Sequence, residues 1–229
     1  GKVENYLGYF LNGEDLRGNF SLISGLIDAN ELLDFEEQEP TETVDTSALS
    51  AFIVPSGIDI TLGVNISSLK YMNYDIRNLA GKVKIKDQRL NLDGLTMKTM
   101  GGTMKMAGSY TSADPEKPEV NFSLGLEKIN IRETFRQVAL VSRFAPVLEK
   151  VIGDFSGEIN LAGLLDGSMM PRLETMAGGG NLITSPFEVA NVNTLNQLSS
   201  SLKMDQLNNL KVNGAKIFVA FKEGVMDVK

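Results

Sequence analysis

The chain has 229 residues and a net charge of -7, from 29 acidic against 22 basic residues, and it contains neither cysteine nor histidine. That composition excludes disulfide bracing, imidazole zinc sites and the Ser-His-Asp and Cys-His nucleophile systems. No stretch of about eighteen apolar residues reads as a membrane span.

The length suits one sizeable all-β unit. The expected fold is mainly β with a few helices: a curved, mostly antiparallel meander or groove with helical segments packed at one end. Residues 1–229 form a single elongated domain in this reading. Gly1 reads as the remnant of a removed tag, and strand-like sequence at both ends predicts a fragment of a longer chain that begins with a membrane-spanning helix.

In chain order, NFSL at Asn19–Leu22 recurs at Asn121–Leu124. In the same alignment Asp28 and Glu31 fall on Asn130 and Glu133, each pair with the spacing of a helix N-cap and the residue that closes a capping box. A unit of strand, short connection and capped helix is therefore expected twice. The run from 34 to 47 holds Asp34, Glu36, Glu37, Glu39, Glu42 and Asp45 and no base. Setting those six aside leaves 23 acids against 22 bases, so the low pI belongs to one solvated acidic loop.

Alternation of apolar and polar residues then begins at Ile58, Ile60, Leu62, Val64 and Ile66, the mark of a half-buried strand. In KVKIKDQRLNLDGLTMKTMGGTMKMAGSY, residues 82–110, Asp87-Gln88 forms a two-residue hairpin loop that sets Ile85 opposite Leu90 and Val83 opposite Leu92. The apolar phase slips between Leu92 and Leu95, which predicts a β-bulge at Asp93-Gly94. Gly101-Gly102 reads as a type I′ turn, with Met97 opposite Met106, Thr99 opposite Met104 and Lys98 opposite Lys105.

Further strands are expected at Val120–Leu126, Phe155–Leu161 and Ile217–Phe221. A helix runs from Ile131 towards Ile152, interrupted at Pro146. A second helix covers about 193–203, and a short turn follows Pro171. Gly178-Gly179-Gly180 lacks the spacing of a dinucleotide fingerprint or a P-loop and reads as a flexible turn. Asp154 and Glu158 fall on the polar face of one strand, as solvated side chains rather than a glycosidase pair.

The polar face of the meander carries Lys82, Lys84, Lys86, Arg89, Lys98 and Lys105. No aromatic residue is interleaved for base stacking, so nucleic acid is not expected. A solvated face is the plain reading, with lipid headgroups or the acidic loop as the alternatives. The opposite face is aliphatic and rich in methionine, a flexible surface suited to variable contacts. One broken helix covers only part of it. The remainder meets a second sheet, closes on itself or holds something apolar that is not protein.

The stretches from Phe52 to Tyr110 and from Pro118 to Phe135, with GDFSGEINLAGLLDGSMMP and AGGGNLITSPFEV behind them, resemble the AsmA-like C-terminal region of the AsmA family of bacterial envelope proteins. The resemblance implies a periplasmic body anchored in the inner membrane of a Gram-negative bacterium through a segment outside this sequence. It further implies a non-enzymatic role in outer-membrane biogenesis, by carrying phospholipid along an apolar β-groove, without a catalytic residue, metal or cofactor. The candidate groove residues are Ile58, Ile60, Leu62, Val64, Val83, Ile85, Leu90, Leu92, Met97, Met104, Met106, Phe122 and Leu124. Expected partners are phospholipid or another lipid and envelope proteins. The alternative is a periplasmic protein-protein interaction module, a covered β-sandwich that assists outer-membrane protein assembly.

Overall fold

A computed structural model describes residues 1–32, 52–138, 141–142, 146–167, 169–190 and 209–229. The acidic loop and the helix expected near 193–203 lie outside the described residues. In chain order the elements are β1 (Lys2–Val3), α1 (Tyr6–Asn12), β2 (Leu16–Ser24), β3 (Ile27–Asp28), α2 (Ala29–Leu32), β4 (Ile58–Tyr71), β5 (Tyr74–Lys86), β6 (Arg89–Thr99), β7 (Gly102–Thr111) and β8 (Glu119–Asn130). They continue with α3 (Ile131–Gln137), a 3-10 turn at Pro146–Lys150, β9 (Val151–Ile152), β10 (Asp154–Leu164), a 3-10 turn at Leu173–Thr175, β11 (Ala177–Thr184), β12 (Phe187–Ala190), β13 (Asn209–Val212), β14 (Lys216–Lys222) and β15 (Val225–Val228).

Twelve strands make one open sheet in the order β1-β2-β4-β5-β6-β7-β8-β10-β11-β14-β15, with β3 paired beside β2 on β4. Pairing is antiparallel except where β2 and β3 run parallel to β4. A separate three-stranded sheet has the order β13-β12-β9. The mainly β, mostly antiparallel expectation holds, and the parallel seam is an addition to it. That seam joins strands separated by a long stretch of chain, so no local turn signal announces it.

The β5–β6 hairpin forms as expected. Asp87 and Gln88 take φ values of 51° and 55°, and Ile85 and Val83 pair with Leu90 and Leu92. The bulge at Asp93-Gly94 is present, since the β6–β7 register shifts between Leu92 and Leu95. The next hairpin differs from expectation by two residues of register. Met97 pairs with Met104, Lys98 with Thr103 and Thr99 with Gly102, around a turn made by Met100 (φ 47°) and Gly101 (φ 75°). Gly102 is drawn into β7 because β8 passes so close that a Cβ there would lie 2.5 Å from the carbonyl oxygens of Glu127 and Lys128. Lys98 and Lys105 are therefore not opposed.

Two further expectations are corrected. Gly178–Gly180 is not a turn but lies within β11, between β10 and β14. The helical segment from Ile131 towards Ile152 is interrupted already before Pro146, because α3 ends where Val138 turns extended (φ -99°, ψ 100°), and its last two residues, Val151–Ile152, pair as β9 with β12. Pro146 does open a short 3-10 turn, and the turn after Pro171 forms at Leu173–Thr175.

The N-cap of α3 is the expected one. Asn130 Oδ1 accepts from the Glu133 backbone N–H at 3.0 Å. The reciprocal half of the box is replaced, because the Asn130 N–H donates to the Met100 carbonyl (2.9 Å) and Glu133 turns to Arg136 (3.0 Å). In the first copy of the repeat Asp28 Oδ1 accepts from the Asn30 N–H at 3.1 Å, ahead of the short α2. Strand, side-chain cap and helix do occur twice.

Candidate functional site

Register and alternation together place the apolar residues on one face. One row runs Ile60–Ile85–Leu90–Tyr110–Val120, and the next runs Leu62–Val83–Leu92–Gly108–Phe122–Leu161–Gly178–Phe221. Beyond the bulge a third row runs Leu95–Met106–Leu124–Ile159–Gly180–Val219–Val228, and a fourth Met97–Met104–Leu126–Gly157–Leu182–Ile217. None of the four rows contains a charged residue. The bulge keeps the face continuous, because it resets the phase of β6 before alternation would turn Leu95 and Met97 outward.

All thirteen candidate groove residues lie on this face. Twelve of them are half-buried, among them Ile58 and Val64 at the start of the face and Met104, Met106, Phe122 and Leu124 at its centre. Met97 differs: it is 7% exposed and packs with Ile66, Leu79 and Leu95, so it is core rather than lining. The sequence reading omitted Ile159, Leu161, Val219 and Phe221, although their alternation was visible. Only the register across β8, β10, β11 and β14 shows that they extend the same face. Thr99 continues the phase of Met97 and is the polar exception, its hydroxyl buried without a hydrogen-bond partner.

Two elements close the ends of the face. At the end where Ile58, Arg89 and Thr111 lie, residues Phe52–Ser56 form a strap that crosses from β7 and β8 towards β4. Val54, fully buried, packs against Tyr110, Val120 and Leu165. The strap is pinned by polar bonds: the Val54 N–H donates to Ser112 Oγ at 2.7 Å, and the Tyr110 hydroxyl donates to the Phe52 carbonyl at 2.7 Å. Burial raises the pKa of the Tyr110 phenol, so it remains a donor across the neutral range. At the opposite end α3 brings Val138 onto the cluster of Met100, Leu126 and Ile129. The helical element does pack at one end of the sheet, as expected.

Across β5 to β7 the other face is polar. Lys82, Lys84, Arg89, Lys98 and Lys105 are exposed, and Lys86 is half-buried. Asp59 on β4 receives Lys86 Nζ at 3.0 Å and Lys84 Nζ at 3.4 Å. The hydrogen bond from Lys86, reinforced by the charge of Lys84, outweighs desolvation and holds the Asp59 carboxyl below its ordinary value of 3.8. A carboxyl whose pKa falls on folding stabilises the fold above its unfolded pKa, and that contribution disappears as pH drops through the lower folded value. The difference in urea midpoint between the native chain and Asp59→Asn should therefore be constant near neutrality and shrink below about pH 4. Parallel pH titrations of unfolding check this.

A cavity of about 200 Å³ near the β6–β7 turn is lined by Lys98, Gly101, Gly102, Thr103, Glu127 and Lys128, none of them from the four apolar rows. Asp154 accepts a hydrogen bond from Asn130 Nδ2 at 3.3 Å, whereas Glu158 is exposed and faces Gly125 and Asn181. The two share no site. Among the described residues no His, Cys, Asp or Glu cluster is arranged to hold a metal, and no helix is long and apolar enough to cross a membrane.

The site is thus an apolar, methionine-bearing sheet face, closed at two ends and half-exposed between them, with a wet basic face behind it. Comparison with known proteins finds no matching family model, no matching curated protein and no matching solved structure.

Proposed function

We propose that the inner face carries the acyl chains of phospholipid, and that the chain is a non-enzymatic component of a Gram-negative envelope that moves lipid between inner and outer membrane. The observation that carries this reading is the extent of half-exposed apolar surface on four uncharged rows. Contiguous apolar patches beyond roughly a few hundred Å² mark contact sites rather than ordinary surface. Acyl chains fit such a face because they need no hydrogen bonds and conform to flexible methionine side chains. The periplasmic setting, the inner-membrane anchor and the role in outer-membrane biogenesis rest on the resemblance of the sequence to the AsmA family.

Neighbouring residues of β7 provide the test. Met106 faces inward and is half-buried, while Lys105 faces outward and is exposed. An unpaired carboxylate among acyl chains costs several kcal/mol, roughly, and displaces them. Met106→Glu should lose bound phospholipid in native mass spectrometry while Lys105→Glu keeps it, both showing an unchanged β spectrum by circular dichroism. Should Met106→Glu fail to fold, Phe122→Glu on the next strand serves in its place. Full lipid retention in a folded inward variant, or an unmodified protein that never carries lipid, overturns the reading. The open edge at β15 then favours the second one, a module that binds an envelope protein by adding a strand.

A further inference from the structure

Helix α1 reads Tyr-Leu-Gly-Tyr-Phe-Leu-Asn and buries none of its seven residues. Tyr6, Leu7, Phe10 and Leu11 are 61%, 66%, 66% and 77% exposed. A short helix that is apolar on every side and packs no side chain into the core is not held in place by hydrophobic burial. Polar bonds hold it instead. Asn5 Oδ1 accepts from the Arg17 N–H at 2.7 Å, and Asn5 Nδ2 donates to the Asp15 carbonyl at 2.7 Å, which ties the start of the helix to the start of β2. Gly13, at φ 68°, closes its C-terminus. The ring centroids of Tyr6 and Phe10 lie 4.9 Å apart, so the aromatic surface is organised from within the helix.

The same design recurs at the same end of the sheet. Phe52 and Ile53 are 50% and 61% exposed, on the strap whose backbone is pinned by Tyr110 and Ser112. Leu16, which follows α1, donates its N–H to the Gly57 carbonyl at 2.9 Å, so helix and strap converge where β2 and β4 begin. Helix α1 is therefore fixed by polar bonds, and the strap by polar bonds together with the buried Val54, while Tyr6, Leu7, Phe10, Leu11, Phe52 and Ile53 stand outward.

We infer that this end of the sheet, through Tyr6, Leu7, Phe10 and Leu11 with Phe52 and Ile53, inserts into the interface of an uncharged, zwitterionic lipid bilayer. Charge selects that occupant. Helix α1 carries no charged residue, Arg17 is paired with Glu14 (3.7 Å), and Lys84 and Lys86 are both engaged by Asp59. Among the described residues no basic side chain belongs to the patch itself, and Arg89 at the same end is bonded to Ser109 Oγ at 3.3 Å, so an anionic surface or an acidic partner would find no cation interleaved with the apolar side chains. Tyrosine and phenylalanine suit the interfacial zone, where an apolar ring enters the acyl region and a hydroxyl stays wet. The inference rests on the lipid-carrying reading and deepens it, since it assigns the part of the fold that would rest on the membrane with which lipid is exchanged.

The experiment is flotation of the full chain with phosphatidylcholine vesicles. The unmodified protein should float, equally well at low and high salt. The double variant Phe10→Glu with Leu11→Glu should lose partitioning by about a hundredfold or more, because two large apolar side chains no longer leave water. Ile23→Glu, at an exposed position near the opposite end of β2, should float normally. Because the chain has no tryptophan, Phe10→Trp supplies a single reporter whose emission should shift to the blue on vesicles, whereas Phe218→Trp on β14 should not.

Absence of flotation, unaltered flotation of the double variant, or a vesicle-independent self-association that the double variant abolishes would each overturn the inference. The two readings fail separately. Met106→Glu should empty the inner face and still float, and the α1 double variant should keep its bound lipid and remain in solution. A protein that floats but never carries lipid leaves the docking surface standing and removes the groove.

Discussion

Gly178→Ala is expected to lower the stability of the fold by about 3 kcal/mol or more, a large share of the roughly 5–15 kcal/mol available to a domain. Gly178 sits in β11 between Leu161 of β10 and Phe221 of β14, at φ 141°, where L side chains are strained by about 1–3 kcal/mol. A Cβ built there collides with the Asn160 carbonyl, which belongs to backbone and has no rotamer to escape into. Relief requires β10 and β11 to part, with loss of ladder hydrogen bonds on both sides. Gly25→Ala is the control, since a Cβ at Gly25 meets nothing within 4 Å. It should leave the urea midpoint unchanged or slightly raised, through a less flexible unfolded chain. Equal effects of the two substitutions would mean that β11 is not packed as described.

Val54→Asp should act almost as strongly, although Val54 belongs to no strand. Val54 is fully buried against Tyr110, Val120 and Leu165 without forming part of a sheet, so its side chain is what fastens the strap from inside. An aspartate there finds no cationic partner among the described residues packed around it, and an unpaired charge in that setting costs several kcal/mol, roughly. The strap then either leaves its seat or takes the charge into the core at the expense of global stability. Limited proteolysis separates these outcomes, with new cleavage near 52–57 in an otherwise folded sheet for the first and a lowered unfolding midpoint for the second. Val54→Ala should cost only about 2 kcal/mol and leave the strap uncut. Wild-type behaviour of Val54→Asp would show that the strap does not close that end of the face.

The sequence disclosed what is local and concealed what is not. The β5–β6 hairpin and the bulge at Asp93-Gly94 were legible because alternation breaks where the chain breaks, and a phase slip has few other causes. The β6–β7 turn was misplaced by one residue, since either glycine of Met100-Gly101-Gly102 satisfies the turn and only the closeness of β8 decides between them. Gly178–Gly180 looked like punctuation because glycine runs usually are. Its true role depends on carbonyls of β10 and β14 far away in sequence. The candidate face was found from β4 to β8, where hairpins transmit register from strand to strand. It stopped at β8, because α3 and the turn at Pro146 interrupt that transmission before β10 resumes it. Val54 gave no local sign of importance, since Val-Pro-Ser reads as an ordinary connection until Ser112 and Tyr110 are seen to hold it.

The row Leu62–Val83–Leu92–Gly108–Phe122–Leu161–Gly178–Phe221 runs across the strands, not along them, and this sets a direction and a step for anything that slides on it. Neighbouring strands lie about 4.8 Å apart, so the seven gaps between the eight rungs of this row give a track of about 34 Å. That is slightly longer than the hydrocarbon thickness of a bilayer, about 30 Å. A guest resting on this track has the same kind of surface ahead of it as behind it at each rung, an apolar side chain or glycine and never a charge. Motion along it resembles diffusion over a low washboard with a period of one strand, and the edge at β15 is where the next rung would be added.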